Sequence, residues 1–425
     1  MAELSSEFRA RLKEDLWHRR RPMNGRDASE RHRAATPLEL LYDLVYVIAF
    51  GVAAGQLADL IAEGHAGPAV GAYLFAIFGV SWAWMNFTWF ASAYGNDDAL
   101  FRVATIVQMV GVVVFTLGLP VSFHAAELGE SPNNALLVVG YIIMRLPLIA
   151  LWLRAARHDP TRRRTAIAYA ITIAAAQIGW VLTTVIPLPV AVVVVALIVL
   201  ALAEMTAPVL IERRLGAAPW NAGHIAERFA LLTLITLGEV VASTTIAVGA
   251  LVDEHGFSPA AVTIAAAGIV LTAALWWAYF LIPSRTLLDR WPRRVWAWRY
   301  AHLPMFGAIA AVGAGLHVAA LAVEHGEGSL LVIALSIAIP VAAVILMVYL
   351  TWSLLVRALD WSHLPMLLLC LLPLIVAVIV AAVVGELTVV ALVAVIALVA
   401  LSSIVEVVVH ERVGYRHTIE ALEAR

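Results

Sequence analysis

Hydrophobic residues form long uninterrupted runs along this chain, and short polar stretches separate one run from the next. The runs reach about 20 residues, the length that an α-helix needs to cross the hydrocarbon core of a bilayer. Membrane β-barrel strands would alternate polar and apolar residues instead. The pattern predicts an all-α integral membrane protein of about twelve transmembrane helices, at roughly 37–61, 68–93, 99–123, 133–156, 165–187, 188–210, 224–252, 258–283, 295–323, 329–357, 362–384 and 386–409.

The arginines occupy alternate connections between these spans. Connections after even-numbered spans contain arginine, as do both tails, whereas connections after odd-numbered spans contain acids and histidines without lysine or arginine. Because basic loops remain in the cytoplasm, the alternation predicts cytoplasmic N- and C-termini and a location in the cell inner (plasma) membrane. A wrong number of spans would have destroyed this alternation, so the charges support the count.

Composition narrows the classes of function. Charged residues make up 14% of the chain, whereas soluble domains contain about 25%. The single cysteine, Cys370, excludes a disulfide within the chain. We find no phosphate-binding loop, serine elbow or paired-histidine motif, so we predict no enzyme activity, no cofactor and no metal. Topology already explains the arginines, so we predict no nucleic-acid partner, only membrane lipids and an unidentified small solute or ion, in an undefined oligomeric state.

The chain divides into two similar halves, residues 37–210 and residues 224–412. Each half begins with a span that carries acids, and each has a tryptophan-rich second span. In the third span of each half an arginine precedes a glycine, as Arg102 and Gly118 and again as Arg299 and Gly315. Six spans, an even number, separate the copies. We therefore predict two parallel six-helix repeats of the same orientation.

Three segments lie outside the repeats. Residues 1–36 form a basic N-terminal segment, in which residues 5–21 have the apolar spacing of a helix that lies on an anionic membrane surface. A solvated basic tail explains the same residues equally well. Residues 211–223 form a predicted cytoplasmic linker between the repeats, and residues 413–425 form a cytoplasmic tail.

Five stretches, which occur in order, resemble the bacterial low temperature requirement A proteins. They are residues 38–47, 82–98, 224–242, 276–280 and 300–305. The resemblance covers about residues 31–420 and implies a membrane protein linked to growth in the cold, with no particular reaction or substrate. One position departs from the family pattern. The family usually has an acid directly after the Trp-Trp-x-Tyr-Phe motif, whereas this chain has Leu281 there. Any role of that acid is therefore absent here or is carried by a residue at another position.

The first span carries a polar stripe at helical spacing, formed by Glu39, Asp43 and Tyr46. One interpretation is a cation- or proton-binding carboxylate in a vestibule that faces the cytoplasm. The alternative is a helix-start role, because acids near the first turn stabilise the N-terminus of a helix and Pro37 suits that turn. The second interpretation is favoured for Glu39 and the first for Asp43, which lies deeper.

The seventh span carries a similar stripe, in which Arg228 and Glu239 share one narrow sector. Glu227 stands at the position that matches Glu39 in the first span. A charge that faces lipid costs several kcal/mol, so this stripe is expected to face protein or water. We take Glu227, Arg228 and Glu239 as candidates for binding a solute or an ion.

Arg145 lies deep in the fourth span and requires an acidic partner at that depth. The intramembrane acids available are Asp43, Glu204 and Glu239, and we expect Glu239 or Asp43 to be the partner. The resulting pair is interpreted either as a clamp between the two halves or as a switch that a proton or an anionic substrate breaks.

His302 and the aromatic residues of the second span complete the candidates. His302 is interpreted as a hydrogen-bonded core residue or as a proton acceptor, because an imidazole titrates near neutral pH. Trp82 and Asn86 belong either to an aromatic belt at the membrane interface or to a stacking wall for an organic or cationic substrate. Trp82 lies near the middle of its span, where a belt would not reach.

The duplicated spans with intramembrane acids favour a proton-coupled secondary transporter, by analogy with transporters that are built from repeats. One alternative is a cation channel of two six-helix repeats, since the Tyr-Asp-Leu-Val-Tyr-Val of the first span faintly resembles a potassium-channel signature. The other alternative is a lipid-related membrane enzyme or a structural membrane protein linked to cold growth.

Overall fold

The computed structural model describes residues 21–28, 30, 33–326, 328–356 and 363–423. Twelve helices in these ranges are long and apolar enough to cross a membrane. They are α1 Pro37–Ala62, α2 Ala66–Tyr94, α3 Ala99–Glu127, α4 Ala135–His158, α5 Arg163–Val185, α6 Val190–Leu215, α7 Ala222–His255, α8 Pro259–Phe280, α9 Val295–Glu324, α10 Leu330–Val356, α11 His363–Val384 and α12 Val389–Val409. A short helix, Ser284–Arg290, and a 3-10 turn, Pro292–Arg294, connect α8 to α9, and Tyr415–Glu423 follows α12.

These helices agree with the predicted spans in number and order, and they make the protein an all-α integral membrane protein. The ends differ from the prediction by a few residues, as expected where a helix continues past the hydrocarbon core. The surface helix predicted for residues 5–21 lies outside the described residues except for Arg21.

The start of α1 shows how local sequence sets a helix end. Thr36 is the N-cap: its side chain accepts from the backbone N–H of Glu39, and the Glu39 carboxylate accepts from the backbone N–H of Thr36. Pro37 occupies the first helical position, where its missing N–H costs nothing. This reciprocal capping box satisfies two backbone groups and fixes where Glu39 lies. The helix-start role considered for Glu39 is therefore present in the structure.

The helices pack in a pattern that places α1, α7 and α9 at the centre. Helix α1 packs on α2, α3, α7 and α9, and α7 packs on α8 and α9. The most apolar part of α9 is 83% buried, against 17% for α6, so α9 is surrounded by protein while α6 lies at the periphery. The same order of helix contacts occurs in both halves. In the first half α1 packs on α3, α3 on α4, α4 on α5 and α5 on α6. In the second half α7 packs on α9, α9 on α10, α10 on α11 and α11 on α12.

Glycines allow the closest of these approaches. A methyl group on Gly140 of α4 would lie 2.3 Å from the backbone nitrogen of Phe115 in α3, so only glycine fits. A methyl group on Gly315 of α9 would lie 2.3 Å from the backbone oxygen of Ser336 in α10. Small residues at such crossings let helix backbones approach and gain van der Waals contact, which drives association in a membrane.

We expect Gly140→Ala to lower stability, because the added methyl group would collide with the backbone of α3. Overpacking of this kind costs about 1–3 kcal/mol, more than the gain of about 1 kcal/mol that alanine brings to a helix interior. Thermal unfolding of the purified protein in detergent measures the change. Gly71→Ala in α2 is the matched control, since nothing lies within 4 Å of a methyl group there. Equal melting temperatures for the two variants would contradict this account of the α3–α4 contact.

Candidate functional site

The α1–α7 cluster is a group of polar side chains buried between the first and seventh helices. It consists of Glu39 and Asp43 of α1, His224 and Arg228 of α7, and Trp84 of α2. The Arg228 guanidinium donates to Asp43 through Nη2 at 2.5 Å and through Nε at 3.2 Å, and its Nη1 lies 3.0 Å from Glu39 Oε1. Trp84 Nε1 donates to Asp43 Oδ1 at 2.6 Å, and His224 Nε2 lies 3.2 Å from Glu39 Oε1.

Helical spacing brings the α1–α7 cluster together. Glu39 and Asp43 are four residues apart on α1, and His224 and Arg228 are four residues apart on α7, so one turn of each helix faces the other. The exposure of Asp43 and Arg228 is 0%, so the water-accessible vestibule expected at Asp43 is absent from this conformation. Two carboxylates thus face one guanidinium and one imidazole in the α1–α7 cluster.

Tyr46 continues the stripe of α1 but bonds away from Arg228. Its hydroxyl lies 2.8 Å from that of Tyr42, and it contacts Met144 Sδ of α4 at 3.1 Å. The Tyr42 hydroxyl also donates to Gln108 of α3 at 3.3 Å. Tyr46 is therefore part of the packing between α1, α3 and α4 rather than part of the α1–α7 cluster.

The partner of Arg145 is Glu204 of α6, so the expectation of Asp43 or Glu239 was wrong. Arg145 Nη2 donates to Glu204 Oε2 at 2.9 Å and also to the hydroxyl of Tyr141. Tyr141 and Trp180 donate to the two oxygens of Glu204, at 2.9 and 2.8 Å. The pair therefore fastens α4, α5 and α6 within the first half, and it does not clamp the two halves together.

Glu239 lies in the middle of α7 and is half-buried. Its carboxylate accepts from Ser243 Oγ at 3.0 Å. A methyl group on Gly51 of α1 would lie 2.4 Å from Glu239 Oε1. The carboxylate therefore lies in space that is open because residue 51 has no side chain. Within the described part of the chain, no lysine, arginine or histidine forms an ion pair with Glu239. It differs in this from Asp43 and Glu204, which both face arginine.

Trp82 belongs to an aromatic box that surrounds an arginine of the protein itself. The guanidinium carbon of buried Arg299 lies 5.8 Å from the ring centre of Trp82, and 4.6, 4.8 and 5.3 Å from those of Trp89, Trp296 and Tyr300. Such stacking stabilises a desolvated cation. Trp82 thus stacks near Arg299 of α9, a cation that belongs to the protein itself.

The remaining candidates have local partners. Asn86 is buried, and its amide donates to the carbonyl of Trp82 one turn earlier in α2, at 2.7 Å. Glu227 accepts from the backbone N–H of Ala35 at 3.2 Å, which ties α7 to the residues before α1. His302 is fully buried, and its ring nitrogens lie 2.8 Å from the Trp298 carbonyl and 3.1 Å from the Tyr279 hydroxyl. The geometry of His302 matches its interpretation as a hydrogen-bonded core residue.

Sequence reasoning missed two buried acids. Glu212 of α6 accepts from Trp89 and Tyr169, both at 2.9 Å, and so links α6 to α2 and α5. Glu406 of α12 is fully buried, with His410 one turn later at 2.9 Å. Both acids stand near the ends of apolar runs, where they resemble ordinary flanking charges. No local pattern therefore distinguishes them from such flanking charges.

The segment before α1 is hydrogen-bonded to the last turn of α2 and to the start of α3. Arg33 donates to the carbonyls of Ala91 and Ser92 in the last turn of α2, and its burial lowers the pKa of the guanidinium to about 10. Burial alone would raise the pKa of Asp98, but hydrogen bonds from Arg154 and from the backbone N–H groups of Arg21 and Phe101 lower it to about 2. These contacts position Thr36, and with it Glu39, at the start of α1.

The twelve apolar helices, joined by buried ion pairs, define a polytopic helical membrane protein. The family model described as "Bacterial low temperature requirement A protein (LtrA)" matches residues 34–400, and the chain belongs to this family. It is 26% identical over 305 residues to the uncharacterized protein RA0937 of Rhizobium meliloti (strain 1021), a match that covers 67% of this chain and 69% of that protein. No solved structure matches the chain.

We expect Arg145→Met to destabilise the protein by about 3–5 kcal/mol, because it leaves the Glu204 charge buried without its partner. Adding Glu204→Gln removes that charge and is expected to restore part of the loss, since a buried pair replaced as a unit costs less than a broken one. Unfolding in detergent measures both changes. Asp43→Asn, combined with Arg145→Met in the same way, is the comparison, because it removes an acid of the α1–α7 cluster instead of Glu204. Rescue by Asp43→Asn and not by Glu204→Gln would contradict the pairing.

Proposed function

We propose that this protein is a proton-coupled secondary transporter in which Glu239 carries the proton. The observation that supports the proposal is a half-buried carboxylate in the middle of α7 whose recorded hydrogen bond is from one serine hydroxyl. An ionised carboxylate at bilayer depth is costly unless a proton, a cation or a basic side chain neutralises it. Arg228 neutralises Asp43 and Arg145 neutralises Glu204, whereas Glu239 is left to be neutralised by a proton.

The surroundings of Glu239 support access to it. A methyl group on Gly55, one turn beyond Gly51 in α1, would have nothing within 4 Å, so the space beside Gly55 is open. Arg228 lies eleven residues before Glu239, about 16 Å at 1.5 Å per residue. The α1–α7 cluster therefore occupies one end of the contact between α1 and α7, and Glu239 lies about three turns further along α7.

We further propose that the protein consists of two parallel six-helix repeats in the inner membrane, with both termini in the cytoplasm. The recurrence of the packed helix pairs from the first half in the second supports this arrangement. The arginine-rich connections support the orientation. Helices α1 and α7 are equivalent in this scheme, so the polar contact between them joins the two repeats along their shared axis.

We expect Glu239→Gln to abolish solute-dependent proton movement, because glutamine keeps the shape of the side chain and cannot exchange a proton. The protein is reconstituted into vesicles that contain a pH-sensitive dye, and a panel of organic cations, amines and neutral solutes is added with and without a pH gradient. A solute that moves protons in the parent protein identifies the substrate class. Uptake that saturates with solute favours a transporter, and flux that does not saturate favours the cation channel.

A direct readout of protonation accompanies the transport assay. An apolar carbodiimide reacts with protonated carboxyl groups at membrane depth, and we expect labelling of the parent protein that falls as pH rises and is lost in Glu239→Gln. Asp253→Asn is the control, since Asp253 lies exposed near the end of the same helix. Proton-coupled uptake that persists unchanged in Glu239→Gln would overturn the proposal.

A further inference from the structure

Three side chains, Glu63, His65 and Glu127, meet at the end of the bundle opposite to the α1–α7 cluster, and we call them the His-Glu cluster. Glu63 follows α1, His65 precedes α2, and His124 and Glu127 belong to the last turn of α3. The donor atoms of Glu63, His65 and Glu127 all lie within 4.8 Å of one another. Loops with acids and histidines, and without lysine or arginine, occupy this side of the membrane.

The spacing within the His-Glu cluster is that of metal ligands. Glu127 Oε1 lies 3.4 Å from His65 Nδ1, and Glu127 Oε2 lies 3.0 Å from His124 Nδ1. Nitrogen and oxygen ligands bind zinc at about 2.0–2.2 Å, so two ligands of a tetrahedral ion lie about 3.3–3.6 Å apart. His65 Nδ1 and Glu127 Oε1 are therefore about as far apart as two ligands of one ion, while His124 contacts the other oxygen of the Glu127 carboxylate.

The backbone brings these residues together in a defined way. Gly64 has φ +91°, a conformation that glycine adopts readily, and it turns the chain so that His65 follows Glu63 on the same side. His124 and Glu127 are three residues apart and so share a face of α3. The side chains of His65 and Glu127 are 45% and 23% exposed, so an ion from the aqueous phase reaches them without entering the membrane.

We propose that the His-Glu cluster binds a divalent transition metal ion of the zinc type, through His65, Glu127 and Glu63, with His124 holding the Glu127 carboxylate in place. An imidazole beside two carboxylates suits zinc rather than magnesium or calcium, which prefer oxygen ligands alone. The charges of the carboxylates balance the charge of the ion. A bound ion would join the end of α1, the start of α2 and the end of α3. This inference is independent of the proposed transport activity.

Zinc binding to the full-length protein tests the proposal. The purified protein, freed of any affinity tag and treated with a chelator, is titrated with Zn²⁺ against a competing indicator, and Co²⁺ is added separately to record its visible absorption. We expect one ion per chain, and a cobalt spectrum typical of four-coordinate nitrogen and oxygen ligation. Glu127→Gln is expected to weaken binding at least about tenfold, because loss of even an outer-sphere partner typically costs 10–100-fold. His65→Ala is expected to do the same.

Glu130→Gln is the matched control, because it removes an exposed carboxylate three residues beyond Glu127 that lies outside the His-Glu cluster. It is expected to bind zinc as the parent does. Thermal unfolding without metal checks that each variant is folded. Zinc binding that is equal in the parent, Glu127→Gln and His65→Ala would overturn the proposal and leave a pair of ordinary histidine–carboxylate contacts. A loss of binding in Glu130→Gln as large as in Glu127→Gln would also overturn it, since that result indicates a diffuse surface charge.

Discussion

Every buried charge in this protein has to be neutralised within the membrane, and this constraint fixes how its central helices are arranged. The ion pairs with Asp43 and Glu39 offset the cost of burying Arg228, and they hold α7 against α1. Arg145 requires Glu204, which binds α4 to α6. Arg299 is stabilised instead by aromatic faces, which draw α2 and α9 together. Apolar helices alone would gain little from one neighbour over another in lipid, so these polar contacts specify the partners.

The same constraint separates structural charges from functional ones. A carboxylate that meets a guanidinium at 2.5–2.9 Å, as Asp43 and Glu204 do, already has a basic partner within the membrane. Glu239 has a serine hydroxyl and a glycine beside it, so either charge state requires little rearrangement of its neighbours. The proposed transport activity rests on this difference in partners, and not on the presence of acids in the membrane, which the structural pairs share.

The sequence predicted the helices well because a membrane span is a local property of about 20 apolar residues. It also predicted the stripes of α1 and α7, since helical spacing determines which residues share a face. The contacts that side chains make with other helices were harder to predict. Glu204 lies on α6, two helices after Arg145, and helices close in sequence are usually close in space, an argument that would have favoured it over Glu239. The cation beside Trp82 was not predictable, because Arg299 arrives from the other half of the chain.

A relative movement of the two halves would have to respect these energies. Opening the α1–α7 cluster would leave Arg228 and two carboxylates without partners in a nonpolar environment, at a cost of several kcal/mol per ion. Glu239 instead accepts a hydrogen bond from Ser243 of its own helix and lies beside Gly51 of α1. Protonation changes the charge of Glu239 without breaking an ion pair. In the transporter that we propose, separating the helices beside Glu239 would therefore break fewer ion pairs than separating them at the α1–α7 cluster.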